Sequence, residues 1–366
     1  MQIRRWVLTP MVFAFLANTA VSFSPALAQQ KKDQKQDKVQ QQELQTAYKM
    51  ADAIAAGRPV PSDIGMSIRT DFLKAQNGLT FVPFVLSLDP AQVPSKSVTL
   101  YLRLVATTPA AGPTAPSADV KKETDQAKDK PKEPAATRAP EYAFQGIHFV
   151  DLKTPAPGEP YRLMRAFSVP AGDYDLYLVV QERASANAKN KIAGQKVGFL
   201  KQPITVPNLW GNDLTTSSII VADEMKPIEK PPTAAQIAEQ PYTIGNNIVV
   251  PATSTKLLKT GGLSMVFLIY NTGQDGNRKP DIAVEYLFYQ RFTDKPEKFF
   301  NKTGTQAFNA TTLPPQFDIA AGHNLLATQY VPLEKFPEGE YRLEIKITDK
   351  LSGKIVTRIV VFSVAV

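Results

Sequence analysis

The chain has 366 residues, of which 43% are hydrophobic and 21% charged, and its formal net charge is +8 at pH 7. This composition supplies apolar surface for two domains of ordinary size and excludes a chain that is disordered throughout. There is no cysteine, so disulfides and thiolate metal sites are excluded. The basic excess forms no stripe interleaved with aromatic residues, and we predict no nucleic-acid partner.

The first 28 residues have the parts of a Sec signal peptide. Arg4 and Arg5 form a positive start, residues 6–23 are largely apolar, and Ala26-Leu27-Ala28 is an A-x-A cleavage site. We therefore predict a periplasmic or secreted protein with no membrane span once the signal is removed. The alternative is an uncleaved anchor, which polar residues within the apolar run disfavour.

Residues 29–42 are rich in Gln, Lys and Asp, and we predict a flexible tether there. Apolar residues at helical spacing follow between Leu44 and Ala55, which predicts a short amphipathic helix that ends at Gly57 and packs on the first domain. We assign residues 43–78 to this helix and its connector.

The first β-sandwich is predicted over residues 79–206. Residues 82–88 and 98–104 alternate apolar and polar side chains, although Pro83 favours an edge position for the first of these strands. Residues 107–140 are rich in Pro, Ala and Lys and nearly lack large aliphatic residues, so we predict a disordered insert within this domain.

One motif occurs twice in the chain. Pro-Ala-Gly-Asp-Tyr-Asp-Leu ends at Leu176, and Pro-Glu-Gly-Glu-Tyr-Arg-Leu ends at Leu343. In each copy a glycine, Gly172 or Gly339, precedes Tyr174 or Tyr341 at the start of an alternating strand. This pattern is typical of the tyrosine corner of immunoglobulin-like sandwiches. It predicts an all-β fold of two tandem immunoglobulin-like β-sandwich domains.

The second β-sandwich is predicted over residues 241–366. Residues 207–240 form the junction and hold the first strand of this domain, near residues 217–221. Residues 263–270 are apolar on both faces. Such a strand is either covered on both sides within its own domain or contacts the first domain.

The second half resembles exported bacterial immunoglobulin-like domains that accompany GWxTD-motif and von Willebrand A-type proteins. The blocks that carry the resemblance are residues 217–220, 248–251, 267–271 and 336–349. The GWxTD motif itself is missing, and so is the Asp-x-Ser-x-Ser metal motif of a von Willebrand A domain. The resemblance implies an exported sandwich module and transfers no functional residue to this chain.

Little in the sequence points to catalysis. His148 and His323 are the two histidines, and there is no cysteine. The chain therefore has few candidate residues for a His-based metal site or for a Ser-His-Asp triad. Residues 271–277 are rich in oxygen ligands but lack the spacing of an EF-hand loop. We predict no cofactor and no enzymatic activity.

The densest aromatic cluster supplies the candidate contact residues Tyr289, Phe292, Phe299 and Phe300. Rings on both faces of one strand either bind a sugar or a protein, or are covered by the opposite sheet and the other domain. Our leading hypothesis is a non-catalytic binding or scaffolding module at the bacterial cell envelope, whose partner is a protein or an envelope glycan. The alternatives are a carbohydrate-binding protein that uses these aromatics and a carboxylate-dependent hydrolase.

Overall fold

A computed structural model describes residues 25–107, 142–183, 195–230 and 232–366, with side chains from residue 40 onward except at 234 and 235. Residues 1–24 of the predicted signal peptide lie outside these ranges. So do residues 108–140 of the predicted insert.

The N-terminal helix α1 spans Pro25–Ala55 and is longer than predicted. The tether prediction for residues 29–42 was wrong, because Gln and Lys are good helix formers and neither Gly nor Pro interrupts residues 26–56. The helix ends as predicted at Gly57, whose φ is +69°. Arg58 N donates to Ala53 O at 2.8 Å and completes the C-terminal cap.

Contacts within the chain group Thr46–Val366 together and set apart the residues up to Gln45. The part of α1 that begins at Thr46 packs against a sheet of the first sandwich. One face of this part forms a small apolar cluster with the sheet, made of Ala47, Ala51, Ile54, Tyr101, Tyr177 and Val179. Arg103, which is almost fully buried, pairs with Asp52 of the helix at 2.7 Å. This part of α1 is therefore a cap on the first domain.

The described residues of the first sandwich form eight strands in two antiparallel sheets. They are β1 (Met66–Thr70), β2 (Leu73–Lys74), β3 (Thr80–Leu88), β4 (Ser97–Ala106), β5 (Phe144–Asp151), β6 (Tyr161–Val169), β7 (Gly172–Glu182) and β8 (Val197–Val206). In sheet A, β6 pairs along one side of β3, and β1 and β2 lie one after the other along its other side. Sheet B has the order β5-β4-β7-β8. The sandwich therefore begins at β1, within the segment that we predicted as a connector.

Strand β3 is central, so the edge position predicted from Pro83 was wrong. β6 pairs along one side of β3, and β1 and β2 share the other side. Pro83 is tolerated because it lies opposite the gap between the end of β1 and the start of β2, where no ladder hydrogen bond from its nitrogen is needed. In this gap Asp71 N donates to the Pro83 carbonyl.

The second sandwich also has two sheets, and a short helix α2 (Ala234–Glu239) precedes most of it. Its strands are β9 (Thr215–Thr216), β10 (Ile220–Pro227), β11 (Thr243–Ile244), β12 (Asn247–Pro251), β13 (Lys256–Leu258), β14 (Gly262–Tyr270), β15 (Ile282–Arg291), β16 (Lys298–Lys302), β17 (Gln306–Phe308), β18 (Leu325–Pro332), β19 (Gly339–Asp349) and β20 (Ile355–Ala365). Sheet C has the order β11-β12-β10-β14-β18, with β9 beside β14. Sheet D has the order β13-β20-β19-β15-β16, with β17 beside β15.

Each sandwich has an apolar core of its own, and another apolar core between sheets A and C joins the two sandwiches. Sheet A contributes Leu73 and Val85, and sheet C contributes Val266, Leu268 and Tyr270. The alternate residues of β14 lie in the core of the second sandwich. The apolar character of both faces of residues 263–270 thus reflects contact with the first domain. From residue 46 onward, the layers follow in the order residues 46–55 of α1, sheet B, sheet A, sheet C, sheet D.

Candidate functional site: the open edge of sheet D

The four predicted aromatic contacts do not form one site. Phe300 points into the core of the second sandwich, where its ring centroid lies 4.8 Å from Phe336 and 5.6 Å from Tyr341. Phe300 is half-buried and packs against the buried core of the second sandwich, so its ring has a packing role, and its assignment as a contact residue stays a prediction.

Of the other three aromatics, Tyr289 and Phe299 are on strands of sheet D and Phe292 follows the end of β15, and cations lie over the rings of Tyr289 and Phe292. The Arg342 guanidinium lies 4.3 Å from the Tyr289 ring centroid, and Lys295 Nζ lies 4.1 Å from that of Phe292. Phe299 contacts Tyr289 edge-on and remains 49% exposed. Of the four, Phe299 therefore presents the most free surface.

Arg342 is held firmly over Tyr289. Two of its nitrogens donate to the Glu297 carboxylate at 2.6 and 3.0 Å, and a third donates to Glu344 at 2.7 Å. The hydrogen bonds from Arg342 hold the pKa of Glu297 below its usual value. A ligand that stacks on Tyr289 has to displace a cation fixed by two carboxylates.

Both repeated motifs build the predicted corner. Tyr174 Oη donates to the Pro170 carbonyl at 2.9 Å, and Tyr341 Oη donates to the Pro337 carbonyl at 2.7 Å. The preceding glycines have φ values of +154° at Gly172 and +137° at Gly339, which L-residues rarely adopt. These four residues therefore have structural roles.

The two histidines are in different sandwiches. His148 is on β5, and its Nε2 is buried without a hydrogen-bond partner in the described structure. His323 is exposed in a turn, where its Nδ1 accepts from Asp318 N at 2.9 Å. Within the described ranges, no group of three or more His, Asp or Glu side chains is placed to hold a metal ion. Nor does any described helix combine the length and apolar character needed to cross a bilayer.

The feature that stands out is one side of β20. Along its inner side, β20 pairs with β19 without interruption from Ile355 to Val364. Along its outer side, β13 pairs in parallel with residues 363–365 alone. Within the described chain, residues 355–362 of β20 therefore have no strand beside them, and we call this segment the open edge.

The backbone of the open edge is placed to bond another strand. Ser363 N donates to Thr255 O at 2.9 Å, on the side where β13 lies. Because alternate residues of a strand point their amides the same way, the N–H groups of Thr357, Ile359 and Val361 face the open edge. The side chains of Ile355, Ile359 and Val361 face solvent and are 57%, 58% and 41% exposed.

A groove of about 620 Å³ runs beside the open edge, and we call it the edge groove. Residues 358–361 form one wall, and residues 215–219 with Arg69, Asp71 and Phe72 of the first sandwich form the other. Residues 252–255 close one end. Both domains and their linker therefore contribute to the groove.

Arg358 and Arg69 both line the edge groove, and Arg358 is the one that belongs to β20. Its Nε donates to Thr216 Oγ1 at 2.9 Å and its Nη2 donates to Thr215 Oγ1 at 3.0 Å. Its Nη1 makes a longer contact, 3.3 Å, with the Thr357 carbonyl. Burial lowers the pKa of the guanidinium from its usual value, yet an arginine stays charged. No described carboxylate forms an ion pair with it.

Asp71 on the opposite wall is, in contrast, fully engaged. Its carboxylate lies 3.2 Å from Arg69 Nε and accepts a hydrogen bond from Tyr242 Oη at 2.9 Å. Burial raises the pKa of Asp71, and Arg69 opposes that effect. Arg69 also donates to the Ala252 carbonyl at 2.7 Å. This network ties the two sandwiches together and leaves Asp71 little free surface.

Sequence reasoning did not identify the open edge. The available signal was that β20 carries apolar residues on both faces, with Ile355, Ile359 and Val361 on one face and Val360 and Phe362 on the other. Which side of a strand lacks a neighbour depends on pairing across the whole domain, and a local pattern does not encode it.

No protein-family model matches the chain, and no curated protein matches it. Among solved structures, a trypsin-activated alpha-2-macroglobulin from Escherichia coli is similar over 84% of this chain and 17% of its own, at 10% identity and a TM-score of 0.22. A Salmonella alpha-2-macroglobulin reacted with methylamine is similar over 84% and 17%, at 11% identity and a TM-score of 0.19. The chain thus corresponds to less than a fifth of either protein's length, and these scores are too low to support an argument about function.

Proposed function

We propose that this protein is an exported, non-catalytic binding or scaffolding module at the bacterial cell envelope, periplasmic or secreted, and related to the sandwich domains that accompany GWxTD-motif and von Willebrand A-type proteins. The observation that carries the binding role is the open edge of β20. A long, regular, apolar strand edge is a template for pairing with another chain, and folded proteins normally cover or protect such edges.

A rigid support for this edge favours a scaffolding role. The core shared by sheets A and C buries side chains from both domains. Polar bonds reinforce it, since Ser218 N donates to the Phe72 carbonyl and Phe72 N donates to Ser218 Oγ, both at 2.9 Å. A partner bound at the edge groove therefore meets two domains that are already fixed to each other, which lowers the entropic cost of binding.

The hydrolase alternative has weaker support. A glycosidase needs two carboxylates about 5–10 Å apart across a cleft. Asp71 is the one carboxylate that lines the edge groove in the described structure, and Arg69 and Tyr242 bind it. The carbohydrate alternative depends mainly on Phe299, because Phe300 packs against the core of the second sandwich and Arg342 covers Tyr289.

Export and partner binding are testable together in a bacterial host. The full chain is expressed with a C-terminal tag, its mature N-terminus is sequenced, and intact cells are treated with a short cross-linker before purification. We expect a mature protein that begins at Gln29 and a defined cross-linked species in the periplasmic or secreted fraction. An uncleaved chain in the cytoplasm, or no cross-linked species above the mock reaction, contradicts the proposal.

A further inference from the structure

We propose that the open edge of β20 binds an extended, acidic segment of a partner protein as an added β-strand, with a carboxylate of that segment paired to Arg358 in the edge groove. This inference rests on the proposed binding function and specifies the chemistry of the partner.

The edge lacks the features that usually prevent strand pairing. Natural edge strands carry Pro, Lys or a β-bulge, or are very short. From Ile355 to Phe362 the strand has no Pro, no Lys and no register shift against β19. The side chains that face solvent are Ile355, Thr357, Ile359 and Val361, all β-branched and well suited to pack beside another strand.

The position of β13 in sheet D indicates where an added strand would lie beside β20. β13 is beside residues 363–365 of β20, and residues 252–255 reach the end of the edge groove. A segment paired with residues 355–361 continues the line of β13 along the same edge. It extends sheet D without disturbing any pairing that the structure contains.

The alternation of a strand then determines the side chains of the partner. Every second residue of the added strand faces solvent, beside Ile355, Ile359 and Val361, and apolar branched residues fit there. The intervening residues face the edge groove, beside Arg358. The guanidinium is half-buried with two hydroxyl acceptors and no carboxylate, so an aspartate or glutamate at this position gains a charge-assisted hydrogen bond.

Charge also favours a different protein over a second copy of this chain. The chain carries a net charge of +8 and a sequence pI of about 9.3, so two copies repel. Antiparallel pairing of β20 with its own copy, centred on the open edge, also places the two Arg358 side chains near each other, and like charges across a strand pair are destabilising.

The test uses purified protein and an eight-residue, fluorescein-labelled peptide of alternating valine and glutamate, with binding followed by fluorescence anisotropy. We expect saturable binding, no detectable binding of the matching valine–lysine peptide, and at least tenfold weaker binding to the Arg358→Gln variant. Val361→Pro removes an amide that faces the open edge, and we expect at least tenfold weaker binding there too. Tyr330→Lys, which alters a 59% exposed residue on sheet C, is the control and keeps wild-type affinity.

A second measurement does not depend on how the protein variants fold. Two peptides are N-methylated, one at every valine and the other at every glutamate. In an added strand only one of these two sets of amides faces β20, so one peptide loses binding and the other keeps it. Equal binding of both peptides, or equal binding of a proline–glutamate peptide that cannot join a sheet, overturns strand addition.

The second copy is tested in the same experiments. A wild-type protein that is dimeric by light scattering, with a monomeric Val361→Pro variant, shows that the chain covers its own edge and overturns the acidic partner. Because the peptide assay uses purified protein, it fails or succeeds independently of export and of cross-linking in cells.

Discussion

The last strands of the two sandwiches, β8 and β20, hold equivalent positions but have different edges. Each pairs with the strand that starts at its tyrosine corner. Tyr174 lies opposite Ile204 of β8, and Tyr341 lies opposite Phe362 of β20. The two registers can therefore be compared residue by residue.

The comparison shows where the edges differ. Pro203 of β8 corresponds to Val361 of β20, and Lys201 corresponds to Ile359. Pro203 has no N–H to offer at the edge, and Lys201 carries a charge that pairs with Asp175 at 3.0 Å. Both are established means of preventing strand pairing.

The start of β8 is also covered, since Asp63 N and Ile64 N both donate to the Val197 carbonyl, at 2.6 and 3.0 Å. Two domains with the same corner and the same final pairing thus differ in whether their last strand accepts a neighbour. The closed edge in the first domain makes the open edge in the second a specific feature rather than a property of the fold. Substitutions at the two corners and at the edge of β8 separate what the domains share from what differs between them.

Substitution of the glycine in the second corner should lower the free energy of unfolding more than substitution of the glycine in the first corner. Gly339→Val forces a branched residue into φ +137° and should cost about 2–3 kcal/mol. Gly172→Val should cost less, about 1–2 kcal/mol, because φ +154° lies closer to ordinary extended backbone. Urea denaturation of both variants gives the comparison, and equal stability of both variants and the wild type would refute the corner assignment.

Removal of the corner hydroxyls should have a smaller effect. Tyr341→Phe leaves the Pro337 carbonyl without its 2.7 Å hydrogen bond and should lower the free energy of unfolding by about 1 kcal/mol. Tyr174→Phe should cost about the same. Tyr330→Phe is the control, because that ring is 59% exposed and its hydroxyl makes no such bond. Unchanged melting temperatures in both corner variants contradict the assignment.

The two domains should also differ in their response to pH. Burial lowers the pKa of His148 from its usual 6.5, and Arg165 lowers it further. Below pH 6.5 the unfolded chain then binds a proton that the folded chain does not, so stability should fall as the pH falls. His148→Gln should flatten this decline below pH 6.5, as measured by urea denaturation at a series of pH values. Identical pH profiles for wild type and His148→Gln would show that His148 does not contribute.

The edge of β8 can be opened to match β20. Lys201→Ile combined with Pro203→Val should change the free energy of unfolding by less than about 0.5 kcal/mol, since both sites are on the surface. The expected result is concentration-dependent self-association, measured by light scattering, because the edge loses its charge and its proline. Lys346→Ile on β19, which is paired on both sides, is the control and should remain unassociated. A double variant that behaves like this control would argue against edge protection by Lys201 and Pro203.

The sequence predicted those parts of the fold that are determined by residues close together in the chain. Glycine followed two residues later by tyrosine, ahead of an alternating strand, marked both corners, and Gly57 marked the helix end. The helix start was missed because Gln and Lys favour a helix without forming an apolar face. Pro83 was misread as an edge residue because the break in its partner strand, between Thr70 and Leu73, is a tertiary feature.

The candidate site could not be predicted from the sequence, because it depends on how the sheets pack. Phe299 and Phe300 are adjacent in the chain, yet one is exposed and the other is half-buried against the core, since they point to opposite faces of β16. Arg358 meets Thr215 and Thr216 through the packing of two sheets. Ile359 has no neighbouring strand within the described chain because β13 pairs with residues 363–365 of β20, and no local pattern encodes that.

Hydrogen exchange of the individual amides of β20 tests the central claim most directly. In the free protein, the amides of Thr357, Ile359 and Val361 should exchange rapidly, while those of Val356, Arg358 and Val360, which face β19, should be protected. The alternating valine–glutamate peptide should slow exchange of the first set and leave the second unchanged. Protection of the first set in the free monomer, or no change on adding saturating peptide, would contradict an open edge that accepts a strand.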